Sequence, residues 1–241
     1  MTGTTFDGLA GLHVRGRSWK RRQKPPLHVT VLEWPDRLVA LPTDQSGGQR
    51  GGDRLRTEIL VNDGGWLDWL PPSSSLYHPA TVGSAPCRVD NVLHVASGSR
   101  LAWRPRVSLP CRGSHVVQST ELRAEPGAEL LYWDGWADGR TSSGERSEFG
   151  SITSSLEVVW DGQAVFRERW ALTGEAQKSS PLSGFQGACQ WHLGVAVGPQ
   201  SIDDLQLRVQ AWRLDGAHAE CGELVSGIWI ARVLAFRPYS C

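Results

Sequence analysis

Lysine is nearly absent from this chain. Of 25 basic residues only Lys20, Lys24 and Lys178 are lysines; the rest are arginines. That alone excludes a nucleotide loop of the form G-x-x-x-x-G-K-[ST], because Lys20 precedes Arg21, Lys24 precedes Pro25 and Lys178 follows Gln177. Any nucleotide hydrolysis in which the chain takes part has to come from a partner. A G-x-S-x-G nucleophile elbow and an H-E-x-x-H zinc helix are missing too. No run approaches the roughly 18 apolar residues of a membrane span, and the opening "MTGTTFDGLAGLHVRG" has no apolar signal core. These absences predict a cytoplasmic protein, where thiols stay reduced. The cysteines agree: Cys87, Cys111, Cys189, Cys221 and Cys241 are odd in number, widely spaced and contain no C-x-x-C pair. Charge of one sign is lacking as well. Twenty-five basic against 25 acidic residues give a net charge of zero, which favours neither nucleic acid nor an acidic surface. The last absence is helical periodicity, since no dozen residues show clean i, i+3, i+4, i+7 spacing.

What is present is strand periodicity. "LHVTVLEW", "RLVALP", "RLRTEILV", "LEVVWDGQAVFRERWAL" and "LQLRVQAWRL" alternate apolar and polar positions. Asp161-Gly162 marks a hairpin turn. A repeat is more telling. "VNDGGWLDWLP", "VASGSRLAWRP" and "AEPGAELLYW" each place a turn glycine (Gly64, Gly98, Gly127) three residues before a leucine (Leu67, Leu101, Leu130). Two residues further comes an aromatic (Trp69, Trp103, Tyr132). Positions i and i+2 of a strand face one side, so each unit buries a similar pair. Units recurring at about 30 residues stack as coils. The fold class predicted is mainly β: an irregular β-helix-like stack of strands and hairpins with little helix, as one domain over residues 1–241. Twelve tryptophans, several at in-facing repeat positions, fill such a core. Their alternative role is an exposed platform for a carbohydrate.

The polar motifs divide into weak and strong. "HVRGRSWKRRQKP", His13–Pro25, reads as a charged edge strand and turn rather than a nucleic-acid arm, given the neutral total. "GGQRGGD", Gly47–Asp53, leads into a strand and so lacks the helix N-terminus that holds phosphate. "CQWH" and "HAEC" offer Cys189, His192, His218 and Cys221 as zinc-type ligands. On regular strands, however, i and i+3 point to opposite faces, so buried Cys and His are the preferred reading. In "DGWADGRTSSGERSEFG" the acids Asp134, Asp138, Glu145 and Glu148 are candidates for paired acid–base work, as in a hydrolase, but no nucleophile or oxyanion donor accompanies them.

Several of these segments, in order, resemble the UreD (UreH) family of urease accessory proteins. "PPLHV" looks like the family's early Pro-Pro-Leu turn. "GGQRGGDRLRTEILVNDGG", with Gly51, Gly52 and Asp53, looks like its GG-x-x-x-GD-x-L segment. "LAWRPRVSL" resembles its Leu-Glu-Trp/Tyr-Leu-Pro motif. "ELLYWDGWADGRTSSGERSEFG", with Asp134, Gly139, Arg140, Gly144 and Glu145, resembles W-E-x-x-x-x-GR-x-x-x-GE-x-F-x-x-G. "DGQAVFRERWALTG" and "ELVSGIWIARVLAF" resemble the closing strands. The departures are local. Ala102 and Asp134 stand where the family has Glu, and "WLDWLPPSSSLYHP" keeps only its Ser75–Tyr77 end. Both termini are shorter than the family's, the C-terminus stopping at "RPYSC".

The resemblance implies a non-enzymatic scaffold that binds apo-urease and a UreF-like helical protein. That protein recruits a UreG-like GTPase, and together they insert nickel into urease. It implies no stably bound cofactor, with nickel passing transiently. Weak oxygen ligands suit passing an ion rather than keeping it. The residues expected to line the passage or its polar network are Asp53, Asp134, Arg140 and Glu145. Arg140 and Glu145 are equally readable as an ion pair that fixes a turn. A divergent paralogue without urease work and a carbohydrate-binding module remain as alternatives.

Overall fold

The computed structural model describes residues 5–79, 83, 85–140, 143–179 and 188–236; the closing "RPYSC" lies outside them. In chain order the strands begin with β1 (Asp7–Arg15), β2 (Ser18–Lys24), β3 (Leu27–Glu33), β4 (Leu38–Asp44), β5 (Arg54–Asn62) and β6 (Trp66–Trp69). They continue with β7 (Leu76–Tyr77), β8 (Cys87–Val95), β9 (Arg100–Trp103), β10 (Leu109–Pro110), β11 (His115–Ala124) and β12 (Glu129–Ala137). The last are β13 (Ser151–Trp160), β14 (Gln163–Thr173), β15 (Gln190–Val197), β16 (His218–Val225) and β17 (Ile228–Ala235), with helices α1 (Gly174–Ser179) and α2 (Pro199–Leu214).

The chain coils. Strands β5, β8, β11 and β13 lie parallel and side by side in a seven-stranded sheet ordered β14-β13-β11-β8-β5-β1-β2. Each of the first three runs through a glycine turn into β6, β9 or β12. These also lie parallel, within an eight-stranded sheet ordered β16-β17-β15-β12-β9-β6-β4-β3. A short third face stacks Gln49 on Tyr77, and β7 beside β10. The β-helix-like body predicted from the repeat is therefore present, flanked by antiparallel hairpins at both ends.

The repeat explains the stacking. Gly64, Gly98 and Gly127 take positive φ of 73°, 69° and 81°, a left-handed turn conformation that glycine adopts without steric cost. In the strands that follow, Leu67, Leu101 and Leu130 are in register, as are Trp69, Trp103 and Tyr132. All six side chains are buried. Trp69 and Trp103 stack at 5.3 Å and 8°, and Trp103 and Tyr132 at 6.4 Å and 16°. Across the interior the ladder meets Ile59, Leu93 and Leu122 of the other sheet, equally buried.

The basic segment is an edge strand, as its charge suggested. Its side chains also close a corner of the fold. Arg21 donates to Val29 O, and Gln23 accepts from Val29 N at 3.2 Å. Arg17 reaches the carbonyls of Trp34 and Pro35, the former at 2.7 Å. The outward N–H and C=O of Val29 on edge strand β3 are thus satisfied by side chains of β2.

One expectation fails. "LQLRVQAWRL" is not a strand but the second half of α2. Pro199 opens the helix at its first turn, where a missing N–H costs nothing. The Glu129 carboxylate accepts from Ser201 N at 2.8 Å, which satisfies an orphan donor and complements the helix dipole. The buried residues Ser201, Leu205, Val209 and Trp212 follow helical spacing, whereas Leu207 and Leu214, which complete the apparent alternation, are exposed.

The helix covers the outer face of β12, β15, β16 and β17, and beneath it lies His192. The ring is buried among Trp133 and Trp212 and occupies the space left by Gly135, where a Cβ would approach Nδ1 to 2.2 Å. Burial, with the Arg208 charge adding to it, lowers the His192 pKa from 6.5 to about 3. Below pH 6.5 the unfolded chain binds a proton that the folded chain refuses until about pH 3. The stability contributed by neutral His192 is therefore full above pH 6.5 and falls toward pH 3, by up to about 1.4 kcal/mol per pH unit. Urea denaturation of wild type and His192→Gln between about pH 7 and about pH 4 checks this. The wild type should lose stability faster, and parallel slopes would refute the assignment.

Candidate functional site

The interior is apolar toward both ends, with a polar band between the two apolar clusters. Along the inward side of the seven-stranded sheet, Thr57, Asn91 and Thr120 occupy one level in register across β5, β8 and β11. At each of these positions the alternation calls for an apolar side chain. Gln118 lies one inward position before Thr120. All four are buried, at 9% exposure or less. Asn91 Nδ2 donates to Thr120 Oγ1 at 3.2 Å, and the Tyr132 hydroxyl lies 3.4 Å from the same oxygen.

Thr57, Asn91, Gln118 and Tyr132 line a partly open cavity of about 310 Å³, to which the two sheets and the short third face contribute. Asp134 stands in its wall. Gln118 Nε2 donates to Asp134 Oδ2 at 2.6 Å, and Gly135 N to Oδ1 at 2.9 Å. Burial raises the Asp134 pKa, and the Gln118 and Gly135 hydrogen bonds oppose that rise. Burial likewise pushes the phenols of Tyr77 and Tyr132 up and the Cys87 thiol up to about 12. At the other side of the cavity Asp44 Oδ2 and Gln49 Oε1 are buried without a hydrogen-bond partner. A buried unpaired acceptor costs about 1–3 kcal/mol, which a hydrogen-bond donor such as water, or a cation, would offset. The wall thus sets the side-chain oxygens of Asp44, Gln49 and Asp134 among apolar residues such as Leu55, Val89 and Trp103.

The other expected site residues go elsewhere. Asp53 is 1% exposed but accepts from Phe6 N at 2.8 Å and Arg50 N at 2.7 Å. It pins the Gly51-Gly52 turn, with Gly52 at a φ of 90°, to the start of β1. Arg140 and Glu145 form a two-pronged pair at 3.0 and 2.5 Å, and Arg112 N donates to Glu145 Oε2 at 3.2 Å. The Arg140 guanidinium holds the Glu145 carboxyl below its ordinary value. Gly139, at a φ of 101°, lies so close to Glu145 O that a Cβ would sit 2.8 Å from it, while Gly144 makes the turn between them. Asp138 binds Ser147 Oγ at 2.6 Å and Arg146 at 3.3 Å. Asp53, Arg140 and Glu145 are thus turn-fixing residues outside the cavity lining, and of the four expected passage residues Asp134 is the one in its wall.

The Cys/His alternative is not assembled. Cys189 Sγ lies 3.3 Å from Phe236 O, His192 is under α2, His218 meets the Phe236 ring, and Cys221 packs beside α2. Among the described residues no group of three or more His, Cys, Asp or Glu is placed to hold a metal ion. Strand geometry is the reason: residues three apart turn to opposite faces. Among the described residues Trp34 is the most exposed tryptophan. No helix of the described residues is long and apolar enough to cross a membrane.

The cavity lining also takes in Thr57, Asn91, Gln118, Asp44 and Gln49, which no motif marked. The signal for the first three was in the strands themselves, as polar side chains at in-facing positions of an alternating pattern.

The fold and its lining define a β-helical protein with a band of buried polar side chains in an otherwise apolar interior. The sequence profile described as UreD urease accessory protein matches residues 10–241. The chain belongs to the UreD urease accessory protein family. It is 28% identical over 218 residues to the urease accessory protein UreD of Pseudomonas aeruginosa PAO1, covering 89% of this chain and 76% of that one. It is 30% identical over 221 residues to UreD of Pseudomonas fluorescens Pf-5, with the same coverage of 89% and 76%. With UreD of Pseudomonas fluorescens Pf0-1 it is 31% identical over 161 residues, 66% of this chain and 57% of the relative, so that match spans little more than half of the relative's length.

Proposed function

We propose that the chain is a non-enzymatic scaffold in the cytoplasmic maturation of urease. It binds apo-urease and a UreF-like helical protein, which recruits a UreG-like GTPase, and nickel on its way to the urease active site passes through the interior cavity. The observation that carries this reading is the row of polar side chains at in-facing positions. Asn91, Gln118 and Asp134 are hydrogen-bonded within the wall, whereas Asp44 Oδ2 and Gln49 Oε1 of the same cavity have no protein partner, and burying such acceptors is costly unless they bind something. A ladder of oxygen acceptors around one carboxylate suits an ion that must be released. Thiolate or imidazole cages hold divalent ions too tightly for passage. The missing nucleotide loop agrees with GTP hydrolysis by a partner.

Deleting the gene in its own host tests the role. Urease protein should persist while its nickel content and activity fall, and re-expression should restore both. Urease fully loaded in the deletion strain would leave the family fold with another task.

A further inference from the structure

A thiol and an imidazole meet beside the short third face. Cys111 Sγ lies 3.9 Å from His78 Nδ1. The other ring nitrogen, Nε2, is 3.2 Å from Gly47 O. A carbonyl oxygen only accepts, so Nε2 carries the proton and Nδ1 turns its lone pair toward the thiol. A ring N–H given to a backbone carbonyl is also the supporting bond that metal-ligating histidines use. The imidazole sits against Gly48, where a Cβ would come within 2.5 Å of Nε2 and where φ is 127°. Any side chain there would unseat the ring. The two ligands are held by the stacked rungs: His78 N donates to Gln49 O at 2.7 Å, and Cys111 N to Tyr77 O at 2.9 Å. The neighbouring Gln49 is 7% exposed and its Oε1 is unpartnered.

We propose that Cys111 and His78 form a two-ligand site for a soft divalent transition-metal ion, with water completing its coordination. Sulfur and imidazole nitrogen select such ions over magnesium or calcium. Ligand atoms about 2.3 and about 2.0 Å from one tetrahedral ion are roughly 3.6 Å apart, so the observed pair needs only a small approach. On binding, the Cys111 S–H bond breaks, its proton goes to solvent and a sulfur–metal bond forms. Burial raises the pKa of this thiol. With two protein ligands rather than four, the ion exchanges readily. The pair follows Tyr77 and Pro110 by one residue each and lies outside the cavity lining. Its existence does not depend on the passage reading, because the test below reads ligation and not delivery.

Titrating the full-length chain with Co²⁺ reads the sulfur bond as a thiolate-to-cobalt charge-transfer band in the near ultraviolet. The band should saturate at one equivalent, vanish in Cys111→Ser, weaken at least about tenfold in affinity in His78→Gln, and persist in Cys221→Ser. Cobalt K-edge absorption on the unmutated protein should show one sulfur and one imidazole neighbour, which keeps the test independent of how the variants fold. A band that survives Cys111→Ser, or a cobalt shell without sulfur, overturns the proposal.

Discussion

Trp103→Ala lowers the unfolding free energy by about 3–5 kcal/mol. Trp103 is the middle rung of the aromatic ladder, between Trp69 at 5.3 Å and Tyr132 at 6.4 Å, and is 6% exposed. Truncation removes the transfer energy of a large ring and leaves a cavity that two parallel β neighbours cannot fill, because their hydrogen bonds fix the spacing. It also removes two offset stacks, worth about 0.5–1.5 kcal/mol each. The comparison is Leu207→Ala on the outer side of α2, where the side chain is 64% exposed and the expected change is within about 0.5 kcal/mol. Urea denaturation of the three proteins measures both. A loss at Trp103 no larger than that at Leu207 would show that the ladder is not what holds the coils together.

Asp134→Asn separates the passage from the fold. The substitution keeps the shape and a partner for Gln118 while removing the charge. Because burial disfavours that charge, stability should be unchanged or slightly higher. Nickel delivered to urease should nevertheless fall by at least about tenfold, the scale on which metal sites respond to losing a polar contact. Glu145→Gln should do the reverse. It breaks the pair with Arg140 and the tie to Arg112 N, so thermal stability drops, but Glu145 is not in the cavity lining and delivery by the folded protein should continue. Metal analysis of urease purified from strains carrying each variant gives the answer. Full nickel content with Asp134→Asn would remove the carboxylate from the path.

Period-2 alternation placed the strands, since a pleated strand with one dry face must alternate, and the turn glycines marked where the chain reverses. The Leu-x-aromatic repeat announced the ladder, because residues two apart on a strand share a face. The same alternation misled at residues 205–214, where two periodicities coincide over a short window. What settled it was Gly198-Pro199 and the Glu129 carboxylate, which accepts from backbone groups 71 and 72 residues further on and favours a helix start. For the site, the motif around Asp134, Arg140 and Glu145 was visible as a cluster of charge. Which charge faces inward was not.

Composition and pattern alone therefore determined a β chain of stacked coils with a tryptophan-rich core and no nucleotide loop. These follow from rules local to a few residues: side-chain alternation, positive φ at glycine, and the presence or absence of a short motif. The tertiary structure alone decided that Thr57, Asn91 and Thr120, separated by 34 and 29 residues, form one polar row. It alone decided that Asp134 closes a cavity while Glu145 braces a turn, and that His78 meets Cys111. Each of these depends on the register of parallel strands, and a shift of a single residue would turn every one of those side chains to the opposite face.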